Sequence, residues 1–163
     1  MMTKFDLLDD FGVTTVSENY RPASLRKQNA GYFVYDDRAR SDRHFRPTRI
    51  PRPGDKLWFR VFGQVMPGKT TYAERVAFCR KQARNVFIGS AGLSLVFEEW
   101  RESLCKGRWY ASLDEPERLL KYEVPNLVVL ERGGFGFHLA SFDRELDEDD
   151  VFLCVCDLSV VSA

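Results

Sequence analysis

The chain has 163 residues, 44% hydrophobic and 13% aromatic, with 24 basic and 24 acidic side chains and a net formal charge of zero. A length of this order makes one domain, and so much apolar material excludes a chain disordered throughout. No apolar run approaches the roughly 20 residues that span a bilayer, the acidic stretch Met1 to Asp10 lacks the apolar core of a signal peptide, and four scattered cysteines fit a reducing compartment, so a cytoplasmic protein with no membrane partner is expected.

Residues 1–54 read as an irregular basic N-terminal arm. Thr3 is placed to cap a short helix through Phe5, Leu8 and Phe11, closed by Gly12. Tyr32-Phe33-Val34-Tyr35 has the composition of a short strand. Pro47, Pro51 and Pro53 then keep the backbone extended.

Residues 55–163 read as an α+β domain. Leu57, Phe59, Val61 and Val65 alternate along a long strand over 55–66. Met66-Pro67-Gly68-Lys69 has the proline and glycine of a type II turn. Thr71 and Glu74 have capping-box spacing, and Tyr72, Val76, Cys79, Ala83 and Val86 fall on one helical face. A second helix is expected from about Ala91 to Cys105, with Leu93, Val96, Phe97, Trp100 and Leu104 as its apolar stripe. A short third helix should open at Asp114-Glu115-Pro116-Glu117.

Two apolar runs, 126–132 and 135–142, flank Gly133-Gly134, which predicts a tight hairpin pairing Leu130 with Phe137 and Val128 with Leu139. A last strand over 151–159 puts Phe152, Cys154, Cys156 and Leu158 on one side. These strands are joined too closely for parallel crossovers. The expected architecture is a mainly antiparallel sheet with two principal helices on one face.

Charge is unevenly distributed. Arg38, Arg40, Arg43, Arg46, Arg49 and Arg52 crowd one segment, the last four at every third residue. An extended backbone with three residues per turn would align those four guanidiniums along one edge, a row suited to phosphates. Tyr32, Tyr35 and Phe45 interleave as stacking surfaces. Against this row stands the run Asp143, Glu145, Asp147, Glu148, Asp149 and Asp150, which could neutralise it internally or engage a basic protein partner.

Three further motifs carry chemistry. Gly63, four residues, then Gly68-Lys69-Thr70 fits the phosphate-loop pattern between a strand and a helix, and Val151 to Asp157 resembles an apolar strand ending in a magnesium-holding aspartate. Pro67 sits inside that loop and has no N–H to offer phosphate. Gly134-Phe135-Gly136-Phe137 resembles the core of the RNA-recognition strand motif, although Gly133, His138 and Ala140 depart from it. His138 is expected opposite Val129 with Glu131 as a diagonal neighbour on the same face, an arrangement that could serve as an acid–base pair. Two histidines and four scattered cysteines give no metal-finger spacing, so neither metal nor cofactor is expected.

The function these residues favour is a non-enzymatic binding protein, an accessory subunit of a nucleic-acid complex contacting it through Arg38 to Arg52. The alternatives are a protein-binding adaptor or inhibitor using the acidic run, and a small nucleotide-binding enzyme using Lys69 and Thr70.

Overall fold

The structure is a computed structural model, and it describes residues 4–21, 29–37, 47–118 and 123–159. Among the described residues eight strands form one sheet: β1 (Phe5–Thr15), β2 (Phe33–Asp36), β3 (Lys56–Gln64), β4 (Asn85–Val86), β5 (Trp109–Ser112), β6 (Glu123–Val129), β7 (Phe135–Ser141) and β8 (Asp150–Asp157). Their spatial order is β1-β3-β8-β5-β6-β7-β2, with β4 pairing the far half of β8. The sheet is mixed, because β5 runs parallel to β8 and β2 parallel to β7.

Among the described residues two helices complete the fold, α1 (Tyr72–Arg80) and α2 (Ser90–Trp100). They cover opposite faces of the sheet rather than the single face expected. Tyr72, Val76 and Cys79 of α1 pack on Phe152, Cys154 and Cys156. Leu93, Leu95, Val96 and Phe97 of α2 pack on Leu57, Phe59, Val151, Leu153 and Val155. The reason lies in β8, which is buried at every position. A strand apolar on both sides needs cover on both sides.

The capping box forms as expected: the Glu74 N–H donates to Thr71 Oγ1 at 3.2 Å, and the Thr71 N–H donates to Glu74 Oε2 at 2.8 Å. The helix stops at Arg80, short of Ala83 and Val86. Arg84 takes a positive φ of 59°, and Val86 joins β4 instead, opposite Val155. Of the expected third helix the described residues show a 3-10 turn, Pro116–Arg118, and its expected continuation through Leu119 and Leu120 lies outside them.

Within residues 1–54, expected as an irregular arm, two stretches are strands of the same sheet. The expected helix through Phe5, Leu8 and Phe11 is instead β1, hydrogen-bonded along β3 with register shifts between Leu7 and Asp9 and between Asp10 and Gly12. The short strand at Tyr32 to Tyr35 is present as β2.

The hairpin of β6 and β7 turns through residues 130–134, where Gly133 and Gly134 have φ of 92° and 80° and the Leu130 N–H donates to Gly134 O. Leu127 therefore faces Phe137, and Asn126 faces His138. The two-residue turn and its Leu130–Phe137 pairing do not form. From β7 the chain returns to β8 through residues 142–149, crossing the α1 face over β6 and β5. Phe142 stacks on Tyr72 and Leu146 is fully buried on the way. β7 and β8 run in the same direction, so this short connection makes the parallel crossover that the spacing seemed to forbid.

Candidate nucleic-acid interface

The phosphate-loop pattern folds into a socket for a buried arginine. Gly63 and Gln64 remain in β3, and the Gln64 amide closes the turn by donating to Met66 O at 2.9 Å and Gly68 O at 2.6 Å. Thr70 Oγ1 donates to Gln64 Oε1 at 3.0 Å and accepts from Arg75 Nε at 3.2 Å and Nη2 at 3.1 Å. The Thr70 N–H donates to Leu146 O. Arg75 is fully buried, donates also to the carbonyls of Asp147 and Asp150, and lies against the rings of Phe5 and Phe152. Burial pushes its guanidinium down to about 10, so it remains charged at neutral pH. Lys69 sits 3.7 Å from Asp147. The hydroxyl and N–H that a phosphate cradle would use are thus committed to the protein itself. Asp157, matched above to a magnesium ligand, stands at the other end of β8 from the Asp150 carbonyl that Arg75 holds, so the two halves of the pattern are not brought together.

Arg38, Arg40, Arg43 and Arg46, with Phe45, lie outside the described residues. The chain is anchored on both sides of them. Upstream, the Asp37 N–H donates to Phe137 O at 3.1 Å. Downstream, Thr48 Oγ1 donates to Asp114 Oδ1 at 2.5 Å and the Thr48 N–H reaches the same carboxylate. Burial raises the Asp114 carboxyl above its ordinary range, opposed by those Thr48 hydrogen bonds. The Arg49 N–H donates to Phe87 O, and its guanidinium pairs with Asp55 at 2.9 Å and with Asp157. Arg52 is exposed. The expected row of four aligned guanidiniums therefore breaks at Arg49, which turns into the body.

The phenylalanines of Gly134-Phe135-Gly136-Phe137 serve the core. Phe137 is 1% exposed, and Phe135 meets Phe97 edge-on at 4.8 Å. Gly136 matters for the other face, because a Cβ there would overlap the Tyr35 ring. On that face the rings of Tyr35 and His138 lie 6.3 Å apart, His138 and Trp109 lie 5.4 Å apart, and the Arg144 guanidinium stands 5.5 Å over Trp109. Tyr35 keeps 37% of its surface exposed. Burial and the nearby Asp37 raise its hydroxyl above the usual range, so it stays protonated at neutral pH. His138 faces Asn126, while Glu131 sits in the turn near Gly107, so the expected acid–base pair is not made. Sequence reasoning missed Trp109, His138 and Arg144 as a group, since nothing in their spacing links them. The only local signal was the glycine at 136, small enough to admit a ring.

The acidic run divides in two. Asp150 is buried and pairs with Arg144 at 2.8 Å, and Asp147 bonds within its own turn. Asp143, Glu145, Glu148 and Asp149 are exposed on the crossing connection. None of this run pairs with Arg49. Among the described residues acids outnumber bases, and the balancing cations of the neutral chain belong to residues 22–28, 38–46 and Lys121. Among the described residues no group of three His, Cys, Asp or Glu side chains is placed to hold a metal ion, and no helix is long and apolar enough to cross a membrane. Compared with protein-family models, with curated proteins and with solved structures, the chain matches none of them.

Proposed function

We propose that this chain is a non-enzymatic binding protein, an accessory subunit that contacts nucleic acid through its arginine-rich segment. The observation that supports the reading is the anchoring of residues 38–46 at both ends, at Asp37 and at Thr48, on a body whose described residues are acidic overall. A segment so tethered carries Arg38, Arg40, Arg43 and Arg46 with Asp42 as its one acid. Like charges crowded in this way favour a polyanion, which arginine grips bidentately. Arg52 extends the contact, and Arg49 positions the segment by clasping Asp55 and Asp157.

Filter binding to short oligonucleotides at two salt concentrations tests this. Four neutralised phosphates on a single strand give a log–log salt slope of about −3. Replacing Arg38, Arg40, Arg43 and Arg46 together by alanine should flatten that slope and weaken binding while the melting temperature holds. No binding at ~50 mM salt, where such contacts are strong, would overturn the proposal. The exposure of Asp143, Glu145, Glu148 and Asp149 on one connection then favours the second reading, an adaptor for a basic protein.

A further inference from the structure

We infer that the nucleic acid is a single strand whose unpaired bases stack on the face formed by Tyr35 and His138. This rests on the nucleic-acid reading above and names the class of ligand it takes. Tyr35 lies in the edge strand β2, over the bare backbone of Gly136, with more than a third of its surface open. Two residues after it the chain leaves the sheet at Asp37, and Arg38 follows. Tyr35 thus stands three residues before Arg38 in the sequence, so a base on its ring and the proposed arginine contact would engage one stretch of chain. His138, packed edge-on between Tyr35 and Trp109, continues the aromatic surface inward, and Arg144 over Trp109 closes its far side.

Charge decides between one strand and two. The connection beyond Trp109 exposes Asp143, Glu145, Glu148 and Asp149, and the Trp109 N–H is bonded to Asp149 O at 3.0 Å. A duplex presents two phosphate backbones and hides its base faces within the stack. Its second backbone would meet these carboxylates, and its rings would offer nothing to Tyr35. A single strand needs cations on one side only and has every base face free to stack.

Fluorescence anisotropy separates the possibilities, using labelled ten-nucleotide oligo-U and oligo-dT, an abasic sugar–phosphate of the same length and a duplex, each at 50 and 200 mM salt. Both intact single strands should bind at least tenfold tighter than the abasic chain and the duplex. Tyr35→Ala should weaken single-strand binding about tenfold, the order of one lost stacking contact, with the salt slope unchanged. Tyr35→Phe, which keeps the ring, should bind like the parent, and both variants should melt at the parent temperature. His138→Ala should follow Tyr35→Ala with a smaller loss. Equal affinity for abasic and intact strands, or a Tyr35→Ala protein that binds like the parent, overturns the inference and leaves the arginine contact standing. Failure of every probe to bind at 50 mM salt removes the nucleic-acid reading itself, and this inference with it.

Discussion

Arg49 and Arg52 are the same residue type one step apart in a regular spacing, and their surroundings give them different work. Arg49 reaches Asp55 and Asp157, whose side chains are 12% and 7% exposed. Removing it leaves two nearly buried carboxylates without their cation. Arg49→Ala should therefore cost about 3 kcal/mol, the lower end for breaking a buried pair because Arg49 itself is partly exposed. Arg52→Ala should cost under about 0.5 kcal/mol, as surface changes do. Urea denaturation of the two variants decides it, and equal stabilities would mean that the Arg49 clasp contributes nothing. The spacing rule could not see this difference, because Asp55 is not among the arginines it counts and Asp157 is distant in sequence, at the end of β8. Thr70 makes the same point from the other direction. Its phosphate-loop spacing is faithful, yet its hydroxyl is taken by Arg75 and Gln64.

At the scale of elements, period was informative where the ladder is regular and misleading where it is not. β3 alternates from Leu57 to Val61, and that stretch was legible, whereas Val65, expected on the same face, lies beyond the strand and is exposed. β1 inserts extra residues at Leu8 and Phe11, so a three-residue apolar step imitates a helix. Leu8 then lies against Gly63, and Phe11 stacks on Trp100 at 5.5 Å. The hairpin register slipped for a related reason. Leu127-Val128-Val129-Leu130 is apolar at each position, so pattern alone cannot choose which residues face Phe137. Both faces of β6 are buried, and either choice hides apolar groups. Phe137 itself is on the core side in both registers. Phe137→Ala should cost about 3–5 kcal/mol, as for large aromatic truncations in a packed core, read from the shift in denaturation midpoint at unchanged slope. A near-neutral truncation would contradict the packing of Phe137 with Leu127 beneath α2.

For the whole molecule, the α+β class was legible, since helix patterns and closely spaced strand patterns occur in separate runs along the chain. The arrangement in three layers was not, because burial on both faces of β8 depends on partners scattered along the entire chain. One consequence concerns residues 1–54. β1 pairs the edge of β3, Phe5 packs edge-on to Phe78 and Phe152 at 5.4 and 5.2 Å, and β2 covers β7. A fragment of residues 55–163 should therefore show no cooperative thermal transition by circular dichroism. A sharp melt near that of the full chain would make the first 54 residues a separable arm after all. The position of β8 has a further consequence in time. It follows every other described strand in the chain and yet lies between β3 and β5. Until it is synthesised, β1 with β3 and β5 with β6, β7 and β2 are separate ribbons with bare inner edges, and both helices lack the strand they pack on. At translation rates of about 5–20 residues per second, the nascent chain carries those edges for on the order of ten seconds. Escape from aggregation during that interval, rather than final stability, is the step at which a growing chain of this topology depends most on chaperones.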